Sequence, residues 1–222
     1  MAKYQIYLVR HGRTWFNRYN KMQGWSDTPL APEGIEVAKQ AAHALKDVDF
    51  AAAFSSDARR AIDTCKLIVD ENINHDKITP QKMMEFREEF YGYYEGMNSP
   101  EAWFMVGQPH GASSFAEIIA KYGMDATKDF MKEADPFHEA ENAEEYWSRI
   151  ERGFKKVDQI AKDGDKILLV THSITILGFA IRYKTKDIVL NDIPANASLT
   201  LLERDPATDT NKITKYNQSL IK

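Results

Sequence analysis

The alternation of strand-like and helix-like segments at the N-terminal end constrains the fold of this chain more than any other feature. Residues 4–9 (YQIYLV) are mostly apolar and rich in β-branched and aromatic side chains, as in a parallel strand buried on both faces. Residues 32–45 carry apolar side chains at helical spacing, and AAAFSS at residues 51–56 is a second short strand. This order predicts an α/β fold, a three-layer αβα sandwich with a mostly parallel central sheet.

Each of the two helices in this region has an apolar face. The first, which starts at Pro32, is expected to bury Ile35, Ala38, Ala41, Ala42 and Leu45. The second carries a stripe formed by Ala58, Ala61, Ile62, Cys65, Ile68 and Val69. We expect Ser56 to be the N-cap of the second helix and Asp57 to lie in its first turn, where an acidic side chain interacts favourably with the helix dipole.

The same pattern returns in the C-terminal part of the chain. A helix at 143–162, a strand at 166–172 (KILLVTH) and a helix at 174–182 precede two strands at 198–204 and 212–217. The last two segments alternate apolar and polar side chains, which predicts an antiparallel hairpin at one edge of the sheet.

Residues 97–146 interrupt the pattern with glycines, prolines, broken helical periodicity and many aromatic side chains. We interpret them as a helical insertion, or lid, over the active site, within a single domain that spans residues 1–222. Five aromatic side chains of the insertion are expected to form its own core rather than a substrate cage, although one or two of them could face the pocket. They are Trp103, Phe104, Phe115, Phe130 and Phe137.

The composition excludes several classes of protein. The net charge is −4, which argues against nucleic acid or an anionic membrane as the main partner. Cys65 is the only cysteine, so neither an internal disulfide nor a cysteine-based metal site can form. The N-terminus lacks the apolar run of a signal peptide, and we expect a cytoplasmic location.

Polar groups follow three of the predicted strands. These groups are Arg10 and His11 after the first strand, Ser55, Ser56, Arg59 and Arg60 after the second, and His172 and Ser173 after KILLVT. Ligands bind at the carboxyl ends of strands in open α/β sheets, so we expect these side chains to face one crevice.

Histidines next to arginines favour phosphoryl transfer over other chemistries. Arginines repel a divalent cation, and the chain contains no H-x-x-x-H pair, no G-x-S-x-G serine motif and no glycine-rich nucleotide loop. A guanidinium fork binds phosphate oxygens, and a neighbouring histidine can attack phosphorus. A carboxyl group in the same crevice could protonate the leaving oxygen.

Five segments resemble the histidine phosphatase superfamily, also called the phosphoglycerate mutase family. Arg10-His11-Gly12, with Thr14 and Asn17, is similar to the R-H-G-x-T-x-x-N signature of that superfamily. The similarity continues through QGWSDTPL (23–30), SDARRA (56–61), FREEFYGYYEG (86–96) and VTHS (170–173). It covers nearly the whole chain except residues 97–146.

The resemblance implies a role for each matching residue. His11 would become a phosphohistidine, and Glu88 would act as general acid and then as general base. Arg10, Arg60 and His172 would hold the transferring phosphoryl group. The remaining substrate-binding residues would be Thr14, Asn17, Gln23, Gly24, Tyr91 and Ser173.

Two of these assignments depend on the family spacing alone. Periodicity does not choose between Arg59 and Arg60, and Glu88 and Glu89 are adjacent. The S-x-x-x-R-A spacing of the family selects Arg60, and the FRE context selects Glu88.

The superfamily contains phosphatases and mutases, and the sequence favours a phosphomonoesterase acting on a small phosphorylated metabolite. Residues 97–147 hold ten acidic side chains, three lysines and no arginine, a balance of −7 that disfavours a polyanionic intermediate. The mutases resemble E-R-H-Y-G, whereas this chain has Glu89 in place of the arginine. The alternative is a cofactor-dependent phosphoglycerate mutase, and a third class is an inactive structural or regulatory relative.

Two departures from the family pattern leave this choice open. Arg13 stands where the family usually has glutamate, and it adds a cation near the pocket mouth that could recognise a second anion. Ser173 replaces the usual glycine after the second histidine. We expect neither a metal nor a bound cofactor, while the sequence leaves the substrate and the oligomeric state open.

Overall fold

A computed structural model describes residues 3–190 and 192–221. Its strands form one sheet and are β1 (Tyr4–Arg10), β2 (Ala52–Ser55), β3 (Gln81–Lys82), β4 (Lys166–Thr171), β5 (Leu199–Asp205) and β6 (Thr210–Gln218). The α-helices are α1 (Trp15–Arg18), α2 (Pro32–Leu45), α3 (Arg59–Glu71), α4 (Ser99–Gly107), α5 (Phe115–Tyr122), α6 (Met124–Ala134), α7 (Ala143–Asp158) and α8 (Ser173–Tyr183). Short 3₁₀ turns lie at Met84–Phe86, Gly92–Tyr94 and Gln108–His110. No helix in these ranges is long and apolar enough to cross a membrane.

The sheet is mixed and mostly parallel, in the order β3-β2-β4-β1-β5-β6. Strands β1 to β4 run parallel, whereas β5 is antiparallel to both β1 and β6. The predicted α/β class and the antiparallel edge hairpin are therefore confirmed.

Both faces of the sheet are covered by helices, because successive side chains of a strand point to opposite faces. Ile6 and Leu8 of β1 pack into a cluster with side chains of α7 and α8. Val9, one residue further along, belongs to a second cluster with side chains of α2 and α3. In β4, Leu169 joins the first cluster and Leu168 the second. This alternation produces the three layers.

The insertion has a hydrophobic cluster of its own. Helices α4, α5 and α6 bury Trp103, Ile118 and Met131 there, together with residues that flank the active site. Phe104 and Phe137 are 51% and 68% exposed, so the prediction that they belong to this core is wrong. The buried side of α4 is formed by Ala102, Trp103 and Val106, and the adjacent Phe104 points away from it.

The predicted N-cap of the helix after β2 is also wrong. Helix α3 begins at Arg59, and its N-cap residue Ala58 offers no side-chain hydrogen bond. The backbone N–H of Ser56 still donates to the carbonyl of Val170 in β4, at 3.0 Å. Its hydroxyl is used instead in a contact with His172. A tertiary partner has thus replaced the local capping role.

The remaining differences concern short elements and ends. The sequence analysis missed α1 and β3, which are four and two residues long and too short to show a period. Helix α7 ends at Asp158 rather than near residue 162. Ile35, expected on the buried face of α2, is 36% exposed.

Candidate active site

The ends of three neighbouring strands form the base of the site. Strands β2, β4 and β1 are adjacent in the sheet, and Arg10 is in register with Thr171. The backbone N–H of His11 donates to the carbonyl of Thr171 at 3.0 Å. This pairing brings together the three groups of polar side chains that follow these strands.

His11 is held as a neutral ring with one free lone pair. Its Nδ1 lies 2.7 Å from the carbonyl oxygen of Gly12. Because a carbonyl only accepts, Nδ1 carries the proton and Nε2 is left unprotonated. Burial, with the positive charges of Arg60 and Arg10, lowers the pKa of His11 well below its ordinary value. A neutral imidazole with Nε2 free is the form that attacks phosphorus.

His172 lies beside His11, with 5.1 Å between the ring centroids. Its Nε2 is 2.7 Å from the hydroxyl oxygen of Ser56. Burial is the main cause that lowers the pKa of His172 well below its ordinary value, and the charge of Arg60 adds to it. The Nδ1 atom is buried without a hydrogen-bond partner among the described residues.

Backbone carbonyls anchor the guanidinium groups of Arg60, which is fully buried, and of Arg10, which is half-buried. Arg60 donates through Nη1 to Asp27 at 3.0 Å and through Nη2 to the carbonyl of Gly24 at 2.7 Å. Arg10 donates through Nη1 to the carbonyl of Pro194 at 2.6 Å. Desolvation lowers the pKa of both groups, that of Arg10 to about 10. These hydrogen bonds fix the position of each guanidinium group and leave its Nε–H donor unused among the described residues.

Three buried nitrogen atoms of the residues that follow the strand ends have no hydrogen-bond partner in the described part of the chain. Within the described structure, Nε of Arg10, Nε of Arg60 and Nδ1 of His172 have no hydrogen-bond acceptor. Buried donors are almost always paired, so an unpaired group calls for a ligand or water. The neighbouring Arg59 differs, because its side chain is 75% exposed and pairs with Asp63.

Glu88 is fixed by hydrogen bonds at the N-terminus of α8. One carboxylate oxygen accepts from the backbone N–H and the hydroxyl of Thr175, both at 2.9 Å. The same oxygen accepts a longer contact of 3.2 Å from the backbone N–H of Glu89, and the other oxygen accepts from the backbone N–H of Ile174 at 2.9 Å. The orientation of the carboxyl group is thus set by hydrogen-bond donors of α8, a different element of the structure.

A carboxylate that sequence reasoning missed holds the loop around Arg60. Glu95 accepts from the backbone N–H groups of Gly24, Trp25 and Ser26, at 3.1, 2.7 and 3.1 Å. The carbonyl of Gly24 in this loop is the one that anchors Arg60. Glu95 therefore supports the loop that anchors Arg60 and does not line the cavity.

Two of the predicted substrate-binding residues lie behind the wall of the site. The hydroxyl of Thr14 donates to the side chain of Gln23 at 2.6 Å and caps α1. Gly24 packs so closely that a Cβ atom there would lie 2.0 Å from the carbonyl oxygen of Glu89. Both residues therefore pack against other residues of the site and do not line the cavity themselves.

A cavity of about 450 Å³ opens above the strand ends. The predicted residues in its wall are Arg10, His11, Asn17, Gln23, Glu88, Tyr91 and Ser173. The insertion contributes Ser99, Trp103 and Phe115. None of the ten acidic side chains of residues 97–147, all of which are described, belongs to this wall. The acidic side chains of the insertion therefore do not line the pocket.

Sequence reasoning also missed residues that are far away along the chain. Asn196 lies in the cavity wall and donates to the carbonyl of His11 at 2.9 Å. Lys21 and Ile193 are part of the same wall. The segment that contains Asn196 carries no motif, so no local signal could have assigned it to the site.

Glu89, the neighbour of Glu88, points away from the cavity and under the insertion. Both Glu89 and Lys128 of α6 are fully buried, with 3.5 Å between Oε2 and Nζ. The Lys128 ammonium group also lies 4.7 Å from the ring centroid of Tyr146. Burial raises the pKa of Glu89 from 4.5 to about 8, although Lys128 opposes the shift.

The raised pKa of Glu89 predicts a pH-dependent contribution to stability. Between its ordinary value of 4.5 and about 8, the folded protein retains a proton that the unfolded chain releases. The contribution of Glu89 therefore falls as the pH rises through this range, by up to about 1.4 kcal/mol per pH unit. In Glu89→Gln, we expect the free energy of unfolding to decrease less between about pH 5 and about pH 8 than in the wild type, as measured by urea unfolding.

Glu139→Gln is the matched control, because Glu139 is an exposed acid of the same insertion. It should keep the pH dependence of the wild type. A Glu89→Gln protein with an unchanged pH dependence would contradict the prediction.

Part of the chain matches a known family of proteins. Residues 6–108 match the model of the histidine phosphatase superfamily, branch 1. Over these residues, which make up just under half of the chain, the protein is similar to that superfamily. The matched range includes His11, Arg60 and Glu88, whereas His172 lies outside it.

Several relatives of this protein are phosphoglycerate mutases. It is 42% identical over 110 residues to the 2,3-bisphosphoglycerate-dependent phosphoglycerate mutase of Nautilia profundicola, over 49% of this chain and 47% of the relative. It thus spans about half the length of that protein. It is 26% identical over 214 residues to phosphoglycerate mutase 2 of Bacteroides thetaiotaomicron, over 86% of this chain and 83% of the relative.

A solved structure extends the similarity over the whole fold. The phosphoglycerate mutase from Bacillus anthracis str. Sterne superimposes with a TM-score of 0.88 and 29% identity, and the match covers 98% of this chain and 94% of the other. The superfamily part of the sequence-based assignment is confirmed. The relatives favour the mutase alternative over the phosphatase that the sequence analysis preferred.

Proposed function

We propose that this enzyme transfers phosphoryl groups through a phosphohistidine at His11, with the activity of a 2,3-bisphosphoglycerate-dependent phosphoglycerate mutase. The observation that carries the proposal is the wall of the cavity, where Glu88 is joined by the cations Arg10, Arg13 and Lys21 and by no acid of the insertion. The argument from an acidic insertion against a polyanionic intermediate therefore does not apply to the pocket.

The first half of the proposed reaction forms the phosphoenzyme. Nε2 of His11 attacks phosphorus, the bond from phosphorus to the leaving oxygen breaks, and that oxygen takes a proton from Glu88. Arg10, Arg60 and His172 supply N–H groups for the phosphoryl oxygens. Donors that are fixed before the reaction stabilise the charge that develops in the transition state.

The second half returns the phosphoryl group to an acceptor hydroxyl. Glu88 takes the proton of that hydroxyl, its oxygen attacks phosphorus, and the bond to Nε2 breaks, so that neutral His11 is restored. In a mutase the acceptor is another oxygen of the bound substrate, and in a phosphatase it is water. The catalytic residues proposed here serve both outcomes, and the pocket wall decides between them.

Phosphomonoester hydrolysis is the second candidate, and specific contacts favour it. Glu89 stands where the mutase-like motif has arginine, and its side chain pairs with Lys128 under the insertion. The insertion residues in the cavity wall, Ser99, Trp103 and Phe115, carry no charge. A hydrolase acting on a less charged phosphate ester would suit that side of the pocket.

The fate of 3-phosphoglycerate separates the two candidates. The purified protein is given 3-phosphoglycerate with a trace of 2,3-bisphosphoglycerate, and both 2-phosphoglycerate and free phosphate are followed over time. A mutase is expected to form 2-phosphoglycerate much faster than phosphate. Release of phosphate without isomerisation would overturn the mutase proposal and support the hydrolase.

A further inference from the structure

The segment that carries Glu88 has no regular secondary structure of its own. The chain leaves the 3₁₀ turn Met84–Phe86, and residues 87–90 belong to neither a helix nor a strand. Buried carbonyl groups in such a segment need hydrogen-bond donors from other parts of the chain. The position of Glu88 therefore depends on side chains of other elements.

One side chain, that of Arg149 in α7, binds three carbonyls of this segment. Its Nη1 donates to the carbonyls of Glu85 and Arg87, at 2.8 and 3.1 Å, and its Nη2 donates to that of Glu88 at 3.2 Å. Nε1 of Trp25 is a second donor to the Glu88 carbonyl, also at 3.2 Å. Arg149 is 3% exposed. Because a guanidinium group presents its donors in one rigid plane, Arg149 fixes these three carbonyls relative to one another.

Arg149 is itself held by a buried ion pair with Glu141, which precedes α7. Its Nε donates to one carboxylate oxygen at 2.7 Å, and its Nη2 donates to the other at 2.6 Å. That second oxygen also accepts from the backbone N–H of Phe90 at 3.0 Å, and the N–H of Glu141 donates to the carbonyl of Phe90 at 3.0 Å. All five N–H donors of the guanidinium group are thus used, two on the carboxylate and three on the carbonyls.

The carboxyl end of Glu88 is held separately, by the backbone N–H groups of Ile174 and Thr175. Both residues lie in the first turn of α8, where N–H groups have no acceptor within the helix. The side chain of Glu88 therefore spans two fixed points, the carbonyls bound by Arg149 and the first turn of α8. A displacement of its backbone would turn the carboxyl group away from these donors.

We propose that Arg149 is a positioning residue for Glu88, which fixes the backbone of the general acid so that its carboxyl group can protonate the leaving oxygen. This role rests on the proposed function for the part that Glu88 plays in the reaction. Arg149 lies outside the cavity wall and so does not contact the substrate. A change at Arg149 should impair proton transfer and leave the groups that bind the phosphoryl oxygens in place.

Arg149→Lys tests this role, because lysine keeps the positive charge opposite Glu141 but has three donors in place of five. The measurement compares kcat/KM for 3-phosphoglycerate, whose leaving oxygen needs a proton, and for para-nitrophenyl phosphate, whose leaving oxygen needs little protonation. We expect the ratio of the first value to the second to fall about 10- to 100-fold, because a misplacement of about 1 Å can cost about 10²-fold in rate. In the Glu88→Gln background the same substitution should change this ratio little, since the two residues act as a unit.

Arg204→Lys is the matched control for a purely structural effect. Arg204 is also buried, and it binds both carboxylate oxygens of Asp158, the last residue of α7, at 2.9 and 2.6 Å. Arg204→Lys should lower the free energy of unfolding, as measured with urea, and leave the ratio of the two kcat/KM values unchanged.

Hydrogen exchange provides a readout that does not depend on turnover. In Arg149→Lys, the amide protons of Ile174 and Thr175 should exchange at least about 10-fold faster than in the wild type, while those of β4 keep their rates. Glu141→Gln removes the charge of the ion pair and keeps the shape of the side chain. It should change both readouts in the same direction by a smaller factor, and it replaces Arg149→Lys if that variant does not fold.

A ratio that stays at the wild-type value, or that falls equally in the Glu88→Gln background, would overturn the positioning role. Unchanged exchange at Ile174 and Thr175 would also overturn it. Failure of the proposed function has a different signature, because the wild type would then turn over no phosphate ester. In that case the exchange of these two amides alone decides whether Arg149 positions Glu88.

Discussion

Replacing His11 by alanine is expected to reduce turnover of any phosphate ester by at least about 10⁴-fold, because the proposed nucleophile is lost. The fold should be retained, since the His11 side chain contacts a backbone carbonyl and an open cavity rather than a hydrophobic cluster. Turnover is measured with an aryl phosphate and with 3-phosphoglycerate, and the fold by circular dichroism and thermal unfolding.

A phosphoenzyme that is stable in base and labile in acid should be trapped in the wild type and be absent from His11→Ala. His43→Ala is the control, because His43 is exposed on α2 and pairs with Glu71. It should leave both turnover and trapping unchanged. A phosphoenzyme of the same stability in His11→Ala would show that another residue is the nucleophile.

Glu88→Gln is expected to separate substrates by their leaving group. An alkoxide leaves poorly unless it is protonated, so hydrolysis or transfer of alkyl phosphates should slow by about 10²- to 10⁴-fold. An activated aryl phosphate needs little protonation in the first step and should slow much less. The measurement compares kcat/KM for both classes, because this parameter reports formation of the phosphoenzyme.

Glu85→Gln is a control from the same segment, since the Glu85 carboxylate pairs with Lys156 outside the cavity wall. It should affect both classes of substrate equally and weakly. If Glu88→Gln slowed alkyl and aryl phosphates by the same factor, Glu88 would not be the general acid.

The layers of the fold could be predicted from the sequence because they depend on local periodicity. In β1 the side chains alternate between the two clusters, as Ile6 and Val9 show. Helix α2 begins and ends at Pro32 and Leu45, as predicted. The short β3 pairs with β2 through only two residues, and two residues carry no period that could be recognised.

The candidate site was predictable only as far as it lies in motifs. Arg10 and His11 follow a strand whose end is visible in the sequence. The choice of Arg60 over Arg59 came from the resemblance, and the structure adds that Arg60 is fully buried whereas Arg59 is exposed. Asn196 reaches the carbonyl of His11 across 185 residues of sequence separation, a contact that no local pattern encodes.

The count of charges in the insertion shows why composition alone is a poor guide to the charge of the pocket. The sum of the charges over residues 97–147 gives the net charge of the segment. It does not say in which direction each side chain points. Several of its acids satisfy other groups: Glu141 pairs with Arg149, Glu145 with Lys132, and Asp125 accepts from Trp147. Only the docking of α4 and α5 brought Trp103 and Phe115, rather than carboxylates, to the pocket.

The sequence by itself determined the order of the longer strands and helices, the mostly parallel sheet and the strand ends that carry the candidate site, because these depend on the 2- and 3.6-residue periods of neighbouring side chains. The tertiary structure decided which of the polar groups converge. Local chemistry predicts that Ser56 is an N-cap, yet α3 begins only at Arg59 and the Ser56 hydroxyl binds His172, because the sheet places β2 beside β4. Local preferences amount to about 1 kcal/mol, and a buried tertiary hydrogen bond can override them.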